Sequence, residues 1–418
     1  MSRKDFRLII VTENASMMFG GEAARPLFYF KYLTEAGADV RLVVHERCRK
    51  GLEEFIPDLM DRVHFVPDST LQIMCFKVGQ MMPRRMREVL VGPMIHFFTL
   101  LKQRKLVRKL VAEHDIEIVH EPIPISPKQP SLMYGVGAPV VIGPLNGAMD
   151  LPPAFTDRQS RLTNLSVALT RMVSKPLNWW FPGKRCAAAV LVSNERTRRA
   201  LPAGCESKSI KLVANAVEIS TWQAPDRSNR SGPITFVTTG RLVSFKALDH
   251  LLEAFKPVTE QTGANLIIVG EGHLRSDLET QAKDLGIAEH VEFTGWLKPE
   301  QAVERMSEAD VFVFPSLQDC GGAVIMEAMC LGLPCISSDW GGGPDYMGEG
   351  TGLLVPVDSR DALVHGFTEA MLKIAGDTDL RQQLSRTALE ASKQFDWTKR
   401  VELLMGVYDK CLNPDQAA

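Results

Sequence analysis

Short apolar runs alternate with amphipathic stretches along most of the 418-residue chain. A first series of runs lies at 6–11, 40–45, 117–120, 139–143 and 188–193, and a second at 234–239, 265–269, 291–293, 311–314 and 334–337. Runs this short are typical of buried strands in a parallel sheet covered by helices on both faces. Two series therefore predict two α/β domains, each a doubly wound, Rossmann-like sheet.

The length agrees with two domains, because a single hydrophobic core stops growing near about 250–300 residues. The segment 223–233, rich in Ser, Asn, Asp and Pro, predicts the linker. We therefore expect an N-terminal domain at 1–222 and a C-terminal domain at 223–396. Helical stretches are expected at 23–36, 361–375, 379–395 and 397–412. Open sheets of this kind bind ligands beyond the carboxyl ends of their strands, so we expect the ligand in a cleft between the domains.

The composition excludes fibrous, collagen-like and disordered chains, because 45% of the residues are hydrophobic and 23% are charged. The 8 cysteines form no C-x-x-C pair or zinc-type spacing, which favours a reducing compartment. The first residues lack the apolar region of a signal peptide, and no apolar run reaches the roughly 18 residues of a membrane span. These features predict a cytoplasmic protein.

Charge is unevenly distributed along the chain. Residues 1–200 contain 29 Lys and Arg against 19 Asp and Glu, whereas the remaining residues contain 19 against 31. The basic stretch 77–109 interleaves nine Lys and Arg with Met, Phe and Leu, as a helix does that lies on an anionic membrane surface. A core-packed helix with a solvated basic face is the alternative. Phe97 and Phe98 are too few aromatic residues to indicate a nucleic-acid partner.

Two post-strand loops carry candidate anion-binding residues. Gly20 and Gly21 follow the first strand and open a helix, where backbone N–H groups and the helix dipole favour an anion. A plain tight turn explains them equally well. Arg241 and Lys246 follow the run 234–239, and two cations five residues apart can clamp a diphosphate. A solvated loop is again the alternative.

A third loop combines acids with small residues after the run 311–314. Gly321, Gly322 and Ala323 expose backbone amides at the start of a helix, where an anionic ligand is favoured. Asp319 can accept hydrogen bonds from hydroxyl groups, and Glu327 follows in the helix. One acid directed at a sugar and one at a ribose would explain this spacing.

These motifs together resemble those of the retaining family 4 glycosyltransferases. Residues 315–335 read PSLQDCGGAVIMEAMCLGLPC, against the family signature P-S-x-x-E-G-x-G-x-x-x-L-E-A-M-A-x-G-x-P-V. The family's G-R-L-x-x-x-K stands at 240–246, and further motifs match at 215–218, 269–272, 293–295 and 395–408. The resemblance implies the GT-B fold, in which two Rossmann-like domains face a cleft and the C-terminal helix, here 397–412, crosses back to the first domain.

The resemblance also implies a role for each matched residue. Arg241 and Lys246 would hold the donor diphosphate and stabilise it as it leaves. Asp319 would contact the hydroxyls of the donor sugar, and Glu327 would bind the nucleotide ribose. Further donor contacts are expected from Gly20, Gly21, Gly240, Gly321, Gly322 and Ala323.

Two departures from the family pattern concern the reacting centre. Asp319 stands where the family has glutamate, which shortens the reach of the carboxylate by about 1.3–1.5 Å. Many relatives carry a histidine just after the strand matched by 139–143, and this chain has none there. Asn146 and His120 are the candidates for a polar contact on the acceptor side, with a structural role as the alternative for His120.

The resemblance predicts a retaining, metal-independent glycosyltransferase that needs no cofactor. Its expected partners are a nucleoside diphosphate sugar, with UDP the commonest nucleotide among relatives, and a saccharide or lipid-linked acceptor of cell-surface polysaccharide or glycolipid biosynthesis. A catalytically impaired partner subunit that binds sugar nucleotides, or a GT-B sugar-nucleotide epimerase, is the alternative. Asp377-Thr378-Asp379 resembles a metal-binding D-x-D motif, but its position between two helices predicts a helix cap.

Overall fold

The computed structural model describes residues 5–17, 21–82, 91–124, 126–158, 161–227 and 232–413. The chain separates into two compact units. The first comprises Met1–Ala148, Val167–Ala214 and Trp397–Ala418, and the second comprises Met149–Ser166 and Asn215–Asp396. The expected boundary at 222 therefore needs correction, because residues 149–166 and 215–222 belong to the second unit.

The first unit is built on a seven-stranded parallel sheet in the order β3-β2-β1-β4-β5-β6-β7. Its strands are β1 (Arg7–Val11), β2 (Asp39–His45), β3 (Val63–Val66), β4 (Ile118–Glu121), β5 (Val140–Leu145), β6 (Ala189–Val192) and β7 (Ser209–Lys211). Its α-helices are α1 (Gly21–Glu35), α2 (Arg49–Phe55), α3 (Thr70–Gln80), α4 (Gly92–Glu113), α5 (Arg161–Trp180), α6 (Gly183–Cys186) and α7 (Glu195–Arg199). The first residues of α5, 161–166, belong to the second unit.

The central strands of this sheet are buried along their length, as expected for a sheet covered on both faces. Every residue of β4 and β5 is buried, and β1 is exposed only at Arg7. Ile9 of β1 lies beside Val119 of β4, and both belong to one apolar cluster with residues of α4. The apolar runs of the sequence are thus the strands of the sheet.

The last helix of the chain, Trp397–Leu412, packs within the first unit. The Trp397 ring stacks on Phe28 and Tyr32 of α1, with ring centroids 5.2 and 5.8 Å apart. The Tyr408 ring meets Phe6 edge-on at 5.9 Å. The predicted return of the last helix to the first domain is confirmed.

The second unit is built on a six-stranded parallel sheet in the order β10-β9-β8-β11-β12-β13. Its strands are β8 (Thr235–Thr239), β9 (Asn265–Val269), β10 (Val291–Gly295), β11 (Val311–Phe314), β12 (Cys335–Ser338) and β13 (Gly352–Val355). Its α-helices are α8 (Leu248–Thr262), α9 (Arg275–Asp284), α10 (Pro299–Ser307), α11 (Ala323–Cys330), α12 (Gly342–Tyr346), α13 (Arg360–Gly376) and α14 (Thr378–Ser392).

The sheet order places the loops after β8 and β11 side by side, because these two strands pair directly. Phe236 and Val311 are register partners and are fully buried. The loop after β8 contains the turn Ser244–Lys246, and the loop after β11 leads into α11. Both predicted donor-binding loops therefore leave the same carboxyl edge of one sheet.

Candidate functional site

A close ion pair joins the two loops at the carboxyl edge of the second sheet. The Nζ atom of Lys246 lies 2.5 Å from Oδ2 of Asp319, and the two side chains are only 12% and 24% exposed. The same Nζ atom lies 4.6 Å from the centroid of the Phe314 ring, close enough for a cation–π contact. The structure thus brings together two of the residues that the sequence assigned to donor binding.

The other carboxylate oxygen of Asp319 is bound by backbone amides of the same loop. Oδ1 accepts hydrogen bonds from the backbone N–H groups of Gly321 and Gly322, at 3.0 and 3.1 Å. Burial alone would raise the pKa of Asp319, but the charge and hydrogen bond of Lys246 and the two amides outweigh it, so the pKa lies below its usual value. Asp319 is therefore an ionised group held by three hydrogen bonds.

Gly240 is the residue over which the Lys246 side chain passes. Its φ is +147°, and a Cβ atom added there would lie 3.2 Å from Nζ and 3.3 Å from Cε of Lys246. Only glycine combines this backbone conformation with so close an approach. Together with Arg241, these residues line a small crevice beside Thr239 and Pro315.

Arg241 and Glu327 complete the set that the sequence assigned to the donor. Arg241 is exposed, and no ion pair engages it within the described part of the chain. Glu327 lies in α11, where burial raises the pKa of its carboxyl to about 7. The carboxyl edge of the second sheet therefore carries an exposed cation and a close ion pair, and no contact among the described residues joins Glu327 to them.

Two features of this site are not assigned by the sequence analysis. The Nδ2 group of Asn215 donates to the carbonyl of Gly321 at 2.6 Å and to the hydroxyl of Tyr346 at 3.1 Å. A Cβ atom added at Gly342 would lie 3.0 Å from Cα of Gly322, so α12 packs against the start of α11. The sequence does contain a signal for each feature. Asn215 lies in the matched motif 215–218, and three successive glycines, 341–343, follow β12.

The remaining predicted residues lie in the first unit. Gly20 is outside the described residues, and Gly21 begins α1 with open space around it. Asn146 is buried and accepts a hydrogen bond from Nδ2 of Asn194 at 3.2 Å. The side-chain oxygen of Asn146 thus binds another side chain within the first unit.

His120 has a structural environment, the alternative that the sequence analysis left open for it. Its side chain is fully buried, Nε2 donates to the Gly143 carbonyl at 2.6 Å, and Nδ1 accepts from the Tyr408 hydroxyl at 2.8 Å. Burial lowers the pKa of the ring to about 4, so it is neutral at pH 7. Through these two hydrogen bonds His120 links β4 to β5 and to the last helix.

The basic stretch 77–109 includes residues 83–90, which are outside the described residues. In α4, Leu100 and Val107 are buried, so this helix packs an apolar face into the first unit as the structural alternative predicts. Exposed apolar side chains are concentrated instead on α3 and at the end of α5, at Leu71, Ile73, Met74, Phe76, Val78, Trp179 and Trp180. None of the described helices has both the length and the apolar content of a bilayer-crossing segment.

The D-x-D sequence is a helix cap, as predicted. The Asp377 carboxylate accepts a hydrogen bond from the backbone N–H of Leu380 at 2.9 Å, at the start of α14. An acid at this position also interacts favourably with the helix dipole.

Comparison with known proteins finds a family match over the second unit. Residues 221–391 match the family profile described as glycosyl transferases group 1. Within these residues the chain is therefore similar to the group 1 glycosyltransferases. The group 1 match contains Arg241, Lys246, Asp319 and Glu327, whereas Asn215 precedes it.

Two curated glycosyltransferases are similar to parts of the chain. The chain is 30% identical to the amylovoran biosynthesis glycosyltransferase AmsK of Erwinia amylovora over 38% of this chain and 41% of AmsK. It is 29% identical to the lipopolysaccharide core biosynthesis glycosyltransferase LpsE of Rhizobium meliloti over 44% of this chain and 52% of LpsE. The chain thus spans about half the length of these curated relatives.

A solved structure extends the similarity in fold to nearly the whole chain. Anabaena HepE in complex with UDP is similar with a TM-score of 0.64 and 16% identity, over 96% of this chain and 99% of HepE. At this identity the similarity defines the fold, which is GT-B.

Proposed function

We propose that the protein is a retaining family 4 glycosyltransferase that moves a sugar from a UDP-sugar to a saccharide or lipid-linked acceptor. The observation that carries the proposal is the Lys246–Asp319 pair beside the amides of Gly321 and Gly322. A fixed cation beside the exposed Arg241 at one sheet edge is what a departing diphosphate requires. The UDP bound to HepE supports UDP as the donor nucleotide.

In the proposed mechanism the bond between the anomeric carbon and the β-phosphate oxygen breaks while a bond to the acceptor hydroxyl oxygen forms. The departing phosphate takes the acceptor's proton, so no protein base is required. Lys246 and Arg241 neutralise the charge that develops on the phosphate, as a bound metal ion does in other transferases. Asp319 contacts the sugar hydroxyls, and Glu327 binds the ribose.

Replacing Lys246 tests this assignment. We expect Lys246→Met to reduce nucleotide release from the donor about 10²–10³-fold, because a preorganised group opposite the developing charge is lost. Lys256→Met is the matched control, since this lysine has a side chain 42% exposed in α8 and pairs, within the part of the chain that the structure describes, only with Glu260 across one helical turn. Turnover of the Lys246 variant within about twofold of the control would refute the mechanism.

Product analysis separates the proposal from its alternatives. A transferase yields free nucleotide and a glycosylated acceptor, an epimerase yields an isomerised donor, and an impaired partner subunit yields neither. Thermal unfolding with UDP, GDP and ADP identifies the nucleotide, because a ligand that binds only the folded state raises its melting temperature. Activity that is unchanged by a chelator would support metal independence.

We also propose that the protein acts in the cytoplasm on the inner face of a membrane, in cell-surface polysaccharide or glycolipid biosynthesis. The names of AmsK and LpsE support the pathway class. Trp179 and Trp180 are each 67% exposed at the end of α5, and Lys77 is exposed among the apolar residues of α3. Interfacial tryptophans beside cations fit an anionic lipid surface.

Sedimentation with vesicles tests the membrane proposal. We expect binding to phosphatidylglycerol-containing vesicles, less binding to pure phosphatidylcholine, and a decrease as salt is added. Replacing Trp179 and Trp180 together with serine should weaken binding, whereas Trp296→Ser, at an exposed tryptophan of the second unit, should not. Absence of binding at low salt would refute membrane association.

A further inference from the structure

The strap, residues 149–158, comes from a part of the sequence that lies between segments of the first unit, and it packs in the second unit. The chain leaves the first unit after Ala148 and returns to it at Val167. Leu151 and Phe155 of the strap are buried in the apolar core of the second unit. The strap is thus anchored beside the sheet that carries the donor-site residues.

The first residues of the strap bind two loops at the carboxyl edge of that sheet. The side-chain amide of Gln318, next to Asp319, donates to the carbonyl of Met149 at 3.2 Å. The indole N–H of Trp340, in the loop after β12, donates to the carbonyl of Asp150 at 3.0 Å. The strap therefore contacts the loop that carries Asp319 and the loop that follows the next strand of the sheet.

Arg158, at the end of the strap, binds both sides of the turn that carries Lys246. Its Nη1 group donates to the carbonyl of Ser244 at 2.6 Å, before Lys246 in the chain. Its Nη2 group pairs with the carboxylate of Asp249, which follows Lys246 in α8. The side chain of Arg158 is only 15% exposed. Arg158 is therefore packed against the turn, unlike the exposed Arg241.

His250 is a further partner of the same guanidinium group. Its Nε2 atom lies 2.8 Å from Nη2 of Arg158. Since an arginine can only donate, Nε2 accepts, and the neutral ring carries its proton on Nδ1. Burial lowers the pKa of His250 against the opposing charge of Asp249, which favours this neutral form. Arg158 thus binds a carbonyl, a carboxylate and an imidazole, all within residues 244–250.

The backbone beside Lys246 has a conformation that needs such support. Ala247 has a φ of +50°, in the left-handed region that a residue with a Cβ atom rarely adopts. This conformation costs free energy and persists only where the surrounding contacts hold it. Ala247 is fully buried, and Ser244 and Asp249, both bound by Arg158, lie on either side of it in the chain. The direction of the Lys246 side chain therefore depends on a turn that Arg158 holds.

We propose that Arg158 is a positioning residue for Lys246, and that it holds the turn 244–246 so that the ammonium group meets the β-phosphate of the donor nucleotide. The strap extends this role, because one stretch of chain binds the loops after β8, β11 and β12. Arg158 acts through the turn and does not touch the donor, since its N–H groups are engaged by residues 244–250. The inference rests on the proposed function, which supplies a nucleoside diphosphate sugar as the ligand.

Calorimetric titration of the full chain with nucleotides tests the proposal without an acceptor. The probes are whichever of UDP, GDP and ADP raises the melting temperature most, and the monophosphate of the same nucleoside, which lacks the β-phosphate. We expect Arg158→Met to raise the Kd of the diphosphate about tenfold, the order of one lost charge-assisted hydrogen bond, and to leave the Kd of the monophosphate within about twofold. A general loss of structure would weaken both nucleotides alike.

A double-variant cycle determines whether Arg158 acts through Lys246. In the Lys246→Met background we expect Arg158→Met to change the Kd of the diphosphate less than about twofold, because residues that act as a unit have non-additive effects. Asp249→Asn removes the other charge of the ion pair and should act in the same direction if Arg158→Met does not fold. Arg305→Met is the matched control and should change neither Kd, because this arginine has a side chain 28% exposed in the second unit and makes two ion pairs of its own.

The outcomes separate this inference from the proposed function. Equal losses of diphosphate and monophosphate affinity in Arg158→Met overturn the inference alone. So does an equal loss of diphosphate affinity with and without Lys246, or diphosphate binding that is unchanged in both Arg158→Met and Asp249→Asn. If none of the three diphosphates raises the melting temperature of the unaltered protein, the proposed function itself is refuted.

Discussion

The strongest test of the donor site concerns the buried acid Glu327. Its pKa is raised from an ordinary value of 4.5 to about 7 by burial. Below pH 4.5 the carboxyl is protonated in the folded and the unfolded chain alike. Between 4.5 and 7 the unfolded chain loses the proton first, so the free energy of unfolding falls as pH rises. Above pH 7 this destabilisation is fully present.

The magnitude of this destabilisation follows from the difference between the pKa of Glu327 in the folded chain and in the unfolded chain. A rise from 4.5 to about 7 corresponds to about 3 kcal/mol. Part of the Glu327 surface remains accessible, and we therefore expect about 2 kcal/mol. Glutamine has the same shape and does not ionise. Glu327→Gln should therefore gain about 2 kcal/mol over the unaltered protein between pH 5 and pH 8, or about 4–8 °C in the melting temperature of a unit of this size.

The assay is thermal unfolding at both pH values, with and without UDP. Glu349→Gln is the control, because Glu349 is exposed in the same unit. We also expect Glu327→Gln to lose most of the UDP-induced rise in melting temperature, since a carboxylate is the stronger acceptor for ribose hydroxyls. If the stability difference between the variant and the unaltered protein is equal at pH 5 and pH 8, Glu327 does not titrate as a buried acid and the reasoning fails.

Three further predictions concern named contacts. Gly240→Ala should cut donor turnover at least tenfold, because the added Cβ would displace the Lys246 side chain. The strained backbone conformation should also destabilise the second unit by about 1–3 kcal/mol. Unchanged kinetics would contradict this prediction. Tyr408→Phe should cost about 1 kcal/mol of stability and leave turnover at 25 °C intact, since among the described residues its hydroxyl bonds only His120. A lower kcat would contradict this prediction. His120, with a pKa lowered from 6.5 to about 4, makes unfolding easier as pH falls through this window, so His120→Phe should flatten the acid side of the stability profile measured by urea unfolding.

The sequence predicts the central strands well and the edge strands poorly. The runs 6–11 and 311–314 correspond to β1 and β11, whose apolar residues are buried on both faces. It gives no signal for β3, β7 and β13, which stand at sheet edges. Ser209–Lys211 has no fully buried residue, and Gly352–Val355 has one, so neither needs a continuous apolar run.

The unit to which residues 149–166 belong is set by contacts distant in sequence. The carbonyl of Asp150 accepts from the indole N–H of Trp340 at 3.0 Å, and the carbonyl of Met149 accepts from Gln318 at 3.2 Å. Arg158 reaches the carbonyl of Ser244 at 2.6 Å. The local composition of residues 149–166 does not indicate partners so far away in sequence. The sequence therefore predicts that this segment belongs to the first domain.

The aspartate at the first acidic position of the signature bears directly on the impaired-subunit alternative. A glutamate there would have one more methylene, whereas Asp319 is short enough for Oδ1 to bind the amides of Gly321 and Gly322 while Oδ2 holds Lys246. The substitution therefore fixes the cation in place over Phe314 instead of leaving it to solvent. Because a charge that is already positioned needs no reorganisation when the leaving group departs, this geometry favours turnover. The departure from the family pattern is thus an argument for an active transferase, and Asp319→Glu, which would push the carboxylate away from both amides, should lower turnover and not restore it.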